Sequence, residues 1–291
     1  MIASLSDTTR GILFMVTAIF FFSCMEVMGK YIGLQTSTAM AIWARYAGQA
    51  LVVLLLVLPR IKTVAKTKYP PLQLLRSVLL LIGTTGFFIS IVNIGLAATN
   101  AIFDVNPVLV TLAATVVLGE RLGPRRIFGI LACLTGAMII IRPGTEVFTP
   151  YMLLPLMSAC AYTGYVIATR FVGRDELPIT SLLYTAAFGA IVLTVIVPFY
   201  WVTPPPLVIF FMVMIGILGA IGHFFLIRAF TIAEAGILAP FIYVGLLFAI
   251  IWGMVLFDEF PDIWTYVGAV VIVSAGIYVW RRETQATQMP A

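Results

Sequence analysis

Charged residues make up only 10% of this 291-residue chain, against roughly 25% in a typical soluble domain, and that shortage excludes water as the main solvent. Histidine occurs once and cysteine three times. Neither number supports a metal-ligand cluster such as H-E-x-x-H, and G-x-S-x-G and phosphate-binding glycine loops are also missing. An enzyme and an ATP-driven pump are therefore poor readings, and no cofactor or metal is expected. Cys24, Cys133 and Cys160 all lie inside apolar runs, where a free thiol behaves as a small buried hydrophobe, so no disulfide framework is expected. Residues 1–10 hold one basic residue and no small-residue cleavage pattern before the long apolar run from Gly11. That run is expected to stay as a helix rather than be removed as a signal peptide.

What the chain does have is apolar length. Hydrophobic residues reach 62%, and a helix needs about 20 mostly apolar residues to cross a bilayer. Runs between charged or Pro/Gly-rich breaks predict helices over 11–31, 39–58, 75–96, 101–118, 126–142, 150–169, 180–201, 207–227, 236–257 and 263–280. Pro59 to Pro71 reads as a lysine-bearing loop, Pro143 and Gly144 end the fifth helix, and Pro204 to Pro206 separate the seventh from the eighth. Spans this uniformly apolar lack the alternation of a β-barrel. The fold class is all-α integral membrane with ten transmembrane helices, in contact with the lipid bilayer and without room for a soluble domain.

With the amino terminus in the cytoplasm, fourteen of the 17 Lys and Arg residues fall on the inner side. Lys30 and Arg142 fall outside, and Arg45 lies within a helix. This positive-inside bias predicts that both termini are cytoplasmic, in the inner membrane of a cell. The cations are spread over separate loops, so the net charge of +5 reports topology and anionic lipid rather than nucleic-acid binding.

An internal repeat accompanies the spans. Glu120, Gly129 and Arg142 recur as Glu259, Gly268 and Arg281 at one offset of 139, and Lys30-Tyr31-Ile32-Gly33 recurs as Arg170-Phe171-Val172-Gly173 at 140. The repeats are expected over 11–142 and 150–281, with five helices each. An odd number of helices makes the second copy start from the opposite side, so the halves are expected to be inverted, a common construction of secondary transporters with the substrate held between the halves.

At this point the chain resembles the EamA-like family of the drug/metabolite transporter superfamily. The resemblance rests on Lys30 closing the first helix, Arg45 in the second, and Pro107 through Leu118-Gly119-Glu120-Arg121-Leu122 at the end of the fourth. Arg142-Pro143-Gly144 after the fifth, Ala239-Pro240-Phe241 and Phe257-Asp258-Glu259 around the ninth complete it. The resemblance implies a central cavity lined by the first, third, fourth, sixth, eighth and ninth helices, and transport by alternating access. It also implies small polar cargo, with export of amino acids, aromatic ones among them, as the leading expectation. Uptake of S-adenosylmethionine or a similar metabolite, and drug export, are the alternatives.

An ionisable group at mid-span costs roughly 2.5–3.5 kcal/mol to insert, so it is a functional candidate by default. Glu26, Arg45 and Asp104 qualify and lie at similar predicted depth. Arg45 is expected to hold one carboxylate while the other binds a substrate ammonium or a proton; the alternative is a purely structural ion pair. Glu26 and Lys30 are four apart on one helical face, so a local salt bridge competes for Glu26, and Lys30 can also snorkel to the surface as an anchor. His223 is a candidate for a proton-linked step, with simple hydrogen bonding inside the bundle as the plainer reading.

Asn93, Asn100 and Asn106 mark the third and fourth helices and the turn between them, and Asn106 precedes a break at Pro107 of the kind tolerated where backbone lines a cavity. Asn106 is therefore a site candidate, as are Tyr243 beside Pro240 and Tyr165 with Tyr162. Hydrogen bonding between helices and anchoring at the membrane interface are the competing roles. Ala132 with Gly136 and Gly216 with Ala220 read as packing seams, and Trp264 and Trp280 as interface residues. Glu120 and Glu259 sit poorly at the ends of their own helices, and each is expected to cap the next helix or pair with a nearby arginine. Arg121, Arg125 or Arg126 are the expected partners of Glu120.

Overall fold

The computed structural model describes residues 7–118, 124–172, 176–233 and 238–288. Glu120, Arg121 and Arg174 lie outside the described residues, so the expected partnering of Glu120 does too. The described chain is helical. In order come α1 (Asp7–Gln35), α2 (Thr38–Val57), α3 (Pro70–Asn93), α4 (Leu96–Phe103), α5 (Asn106–Leu118) and α6 (Pro124–Ile141). Then follow α7 (Leu154–Val172), α8 (Pro178–Ile196), α9 (Pro206–Ile232), α10 (Val244–Phe257) and α11 (Ile263–Gln288). Six of the spans are long and apolar enough to cross a membrane alone, and four shorter apolar stretches supply the fourth, fifth, ninth and tenth. This is a ten-helix membrane protein.

Several boundaries differ from expectation for one reason. Proline has no N–H to lose at the first turn of a helix and presets its φ, so Pro70, Pro178 and Pro206 open helices. Pro59 falls in a short 3-10 turn, Leu58–Arg60. The third span therefore begins at Pro70 rather than near 75, and this moves Arg76 from the first turn of the expected helix to nearly two turns inside it. The fourth span starts earlier, at Leu96, and breaks at Asp104–Val105 into α4 and α5, just before the predicted Pro107 break. The ninth opens with a 3-10 segment, Ala239–Tyr243, ahead of α10.

Helix packing is reciprocal. The first span packs on the eighth (α1 on α9) and the third on the sixth (α3 on α7); the second meets the seventh, the fourth the ninth and the fifth the tenth. Spans one to five thus each meet a span from six to ten. Glycine permits the closest crossings. A Cβ on Gly48 of α2 would stand 2.8 Å from the Gly216 backbone of α9, and a Cβ on Gly136 of α6 would stand 2.9 Å from the carbonyl of Gly268 in α11. Large apolar side chains face outward, among them Leu56, Ile191, Phe199 and Val255, because hydrocarbon solvates them as well as a core does.

Candidate functional site

The break in the fourth span, the middle of α2 and the last third of α1 carry the charged candidates. Asn100 and Asp104, four residues apart on α4, share a face, and Asn100 Nδ2 donates to Glu26 Oε2 of α1 at 3.0 Å and to the Leu96 carbonyl at 3.0 Å. Asp104 caps α4 with its backbone N–H on the Asn100 carbonyl at 2.9 Å. Its side chain is 8% exposed, and Oδ2 has no hydrogen-bond partner. Glu26 lies within electrostatic reach of both Asp104 and Arg45.

Arg45 comes from α2. Its Nη1 donates to Thr84 Oγ1 of α3 at 2.9 Å, and Tyr46 OH donates to the same oxygen at 3.1 Å. The guanidinium lies over the rings of Tyr46 and Phe88, 5.1 and 5.8 Å from their centroids, and its buried Nε has no partner. Arg45 is thus not closed into an ion pair with either carboxylate, contrary to expectation; Thr84 and two aromatic faces hold it instead. Glu26, Arg45, Phe103, Tyr162, Tyr165 and His223 are each partly exposed, whereas Asp104 is buried.

An aromatic row links α3, α4 and α7. Phe87 meets Phe103 at 5.2 Å, Phe103 meets Tyr162 at 5.7 Å, and Tyr162 meets Tyr165 at 5.4 Å between centroids. His223 of α9 packs edge-on to Phe22 at 5.0 Å and donates from Nδ1 to the Gly219 carbonyl at 2.7 Å; it feels the charge of Arg45. Tyr243, 8% exposed at the end of the ninth span's 3-10 segment, has an unpartnered hydroxyl within electrostatic reach of Asp104. Asn106 points elsewhere: its Nδ2 donates to the Ala159 carbonyl at 2.9 Å and to Thr163 Oγ1 at 3.0 Å, tying α5 to α7.

Two expectations are corrected. Lys30 does not pair with Glu26 or reach the surface. It is 1% exposed, forms an ion pair with Glu259, and lies 4.7 Å from the centroid of Phe257. Glu259 pairs with this lysine rather than an arginine, and Oε2 accepts from the Leu96 N–H at 3.2 Å, so it caps α4 and not the following helix. Asp262 caps α11 instead, accepting from Thr265 N at 2.9 Å and pairing with Arg142.

Arg76 was missed. Counted among the cytoplasmic cations, it is 2% exposed in α3. Nε donates to Thr169 Oγ1 at 2.9 Å, Nη1 to Gln73 Oε1 at 2.7 Å and the Ser181 carbonyl at 3.3 Å, and Nη2 to Tyr165 OH at 3.4 Å. Its position in Leu74-Leu75-Arg76-Ser77-Val78-Leu79 would have flagged it had Pro70 been taken as a helix start. Asn100, Thr84 and Tyr46 also contribute without having been named as site residues.

Outside the spans, Glu176 ties two loops together. Burial raises its carboxyl, but bonds from Thr67 Oγ1 at 2.5 Å, Gln73 Nε2 at 2.7 Å and the Lys68 N–H at 2.6 Å outweigh that and hold it below the ordinary carboxylate range. Among the described residues, no group of three or more His, Cys, Asp or Glu side chains is placed to hold a metal ion. A separate cavity of about 420 Å³, lined by Cys24, Met28, Tyr31, Phe211 and Trp252 among others, carries no charged group.

Comparison with known proteins gives a consistent picture. The model of the EamA-like transporter family matches residues 9–142 and again 149–281. The chain is 26% identical over 284 residues to an S-adenosylmethionine uptake transporter of Rickettsia prowazekii (strain Madrid E), covering 97% of this chain and 96% of that protein. It is 28% identical to a riboflavin transporter of Rhizobium johnstonii, covering 98% and 96%. The pseudopaline exporter CntI of Pseudomonas aeruginosa (strain UCBPP-PA14) is 30% identical over 280 residues, covering 94% and 96%. One solved crystal structure superposes with a TM-score of 0.62 at 19% identity over 94% of this chain and 99% of its own, a likeness of fold alone.

Proposed function

Because this chain belongs to the EamA-like transporter family, we propose that it is a secondary transporter carrying small metabolites with a cationic centre across the bacterial inner membrane, both termini being cytoplasmic. The carrying step is alternating access of two inverted five-helix halves, 11–142 and 150–281, around the chamber of Glu26, Arg45 and Asp104. The observation that carries this reading is the unpartnered Asp104 carboxylate oxygen beside Glu26. A buried carboxylate without a partner costs on the order of 1–3 kcal/mol or more, so a bound cation or a proton completes the site. Arg45, with Nε free of hydrogen bonds, supplies the complementary group for a cargo carboxylate.

Amino acid export and S-adenosylmethionine uptake differ in one physical quantity, the charge of the cargo. With both Glu26 and Asp104 ionised, the carboxylates against Arg45 leave one negative charge, which a cargo of net charge +1 balances; with one proton held between them the site is neutral and suits a zwitterion. S-adenosylmethionine, with ammonium, carboxylate and sulfonium, has the charge of +1; a neutral zwitterionic amino acid does not unless a proton accompanies it. The doubly ionised state therefore favours a sulfonium- or ammonium-rich cargo. The aromatic row from Phe87 to Tyr165 suits the adenine ring and aromatic amino acids alike, which keeps proton-linked export of aromatic amino acids as the second reading. Direction is not a property of the site, since the gradients decide net flow.

Counterflow in proteoliposomes, preloaded singly with S-adenosylmethionine, aromatic and other amino acids, riboflavin or cationic drugs, tests both readings. Saturable exchange of S-adenosylmethionine is the expected result. Exchange confined to amino acids with a proton moving alongside would establish the second reading, and silence across the panel with folded protein would remove transport of this class.

A further inference from the structure

Lys30 and Glu259 stand directly above the chamber in the register of the helices. Glu26 and Lys30 are four residues apart on α1, and Asn100 and Leu96 are four apart on α4, so each pair is separated by about one turn, ~6 Å of rise. The inner rung is the bond from Asn100 to Glu26, and the outer rung joins Lys30 and the Leu96 N–H through the two oxygens of Glu259. Gly95, at φ +89°, turns the chain into α4, and a Cβ there would stand 2.9 Å from Glu259 Oε2, so only glycine lets the carboxylate seat this closely. Asp258, in the left-handed conformation at φ 53°, ends α10 and aims the next residue back toward the first half.

The outer rung also lies on a boundary. The Lys30 side chain is 2% exposed and that of Glu259 32%, so water reaches one member of the pair and not the other. The contact joins α1 and α4 of the first half to the turn between α10 and α11 of the second. Two halves that rock against each other cannot separate at this end while it holds. Nothing about a merely local cap requires the three-way contact to sit in register with the cargo carboxylate.

We propose that the Lys30–Glu259 pair, seated on the Leu96 amide, is the contact that closes the Glu26 chamber toward the membrane face remote from the chain termini, and that it opens once in each transport cycle. The proposal rests on the alternating-access reading above. In it, Lys30 and Glu259 are positioning residues: they set which face can see Glu26 and do not themselves hold cargo.

The test reads accessibility and needs no substrate. In a chain with Cys24, Cys133 and Cys160 replaced by serine, Glu26→Cys reports the chamber to an anionic, membrane-impermeant methanethiosulfonate added to one face of vesicles whose orientation is set by a carboxy-terminal tag. Glu259→Gln and Lys30→Met should each speed modification from the remote face at least about fivefold, a shift worth ~1 kcal/mol, with the rate from the other face unchanged or slower. Lys30→Arg, which keeps the charge, should stay near the parental rate. Where a neutralised variant does not fold, Glu259→Asp, which shortens the reach and keeps the charge, should give an intermediate rate. Parental rates in every folded variant would overturn the proposal, and so would equal acceleration from both faces, which signals general loosening. Counterflow is read in the same variants with Glu26 kept: counterflow there with parental labelling would remove the gate alone, and face-selective labelling with no counterflow by the Glu26-bearing parent would remove the transport reading alone.

Discussion

Two arginines are drawn into this bundle, and they are held in opposite ways. Arg76 spends every nitrogen on the protein: Thr169, Gln73, the Ser181 carbonyl and Tyr165 surround it, and it is shut from solvent. Arg45 has one hydrogen bond, to Thr84, two aromatic faces, and a buried Nε with no partner. A guanidinium whose donors are all taken holds helices together; one left incomplete keeps a donor unspent. The carboxylates divide the same way, since Glu259 uses both oxygens on Lys30 and Leu96 while Asp104 leaves Oδ2 bare. Saturation of hydrogen bonds, rather than burial or charge, is what distinguishes Arg76 and Glu259 from Arg45 and Asp104.

The sharpest way to break this contrast is to neutralise the incomplete groups. Asp104→Asn and Arg45→Gln should each cut counterflow of S-adenosylmethionine by about 100-fold or more, equivalent to ~2.7 kcal/mol of lost binding, in protein that stays monodisperse. Normal exchange by folded Asp104→Asn would take the cation site away. Arg76→Gln should show the opposite profile. Leaving buried partners unsatisfied costs on the order of 1–3 kcal/mol each, so the thermal unfolding midpoint should drop while exchange per folded molecule stays within a few-fold. If Arg76→Gln instead stopped exchange at an unchanged midpoint, the scaffold role would be wrong.

Smaller effects sharpen the comparison at the loops. Glu176 is held below the ordinary carboxylate range by its hydrogen bonds, so its contribution is complete above that range and is lost as pH falls through its depressed value. Acid should therefore speed proteolysis of the 59–69 loop, and Glu176→Gln should make that loop equally sensitive at all pH values; a loop whose cleavage ignores both would show the contact to be idle. The least change is expected at His223, whose Nδ1 is already spent on the Gly219 carbonyl. His223→Gln should keep exchange within about twofold, a ~0.4 kcal/mol change, with the same pH profile. A flattened profile would bring His223 into the proton path.

Much of the fold was legible because hydrophobicity is summed over a local window. Ten apolar runs, their breaks, and the recurrence of Glu120, Gly129 and Arg142 as Glu259, Gly268 and Arg281 need no three-dimensional information. The errors came where one residue type serves two purposes. Pro70 reads as a loop signal and opens a helix, and Lys30 reads as an interface anchor and is buried. Among the site candidates, Glu26, Arg45 and Asp104 stand out by the cost of a charge in hydrocarbon. Asn106 was equally visible from its neighbouring proline, yet it serves to join α5 and α7.

The sequence by itself determined the solvent of this protein, the number of its spans and their five-plus-five repetition. With no water in the bilayer core every backbone group must be satisfied within its own helix, so composition along the chain is enough. Partnership was decided only in the tertiary structure. Glu26 meets Asn100 across 74 residues, Arg76 meets Ser181 across 105, and Lys30 meets Glu259 across 229. No local period encodes such separations, because they depend on which helix faces cross and how far a side chain reaches. The same crossings leave Arg45 Nε and Asp104 Oδ2 without partners, which no reading of the sequence could fix.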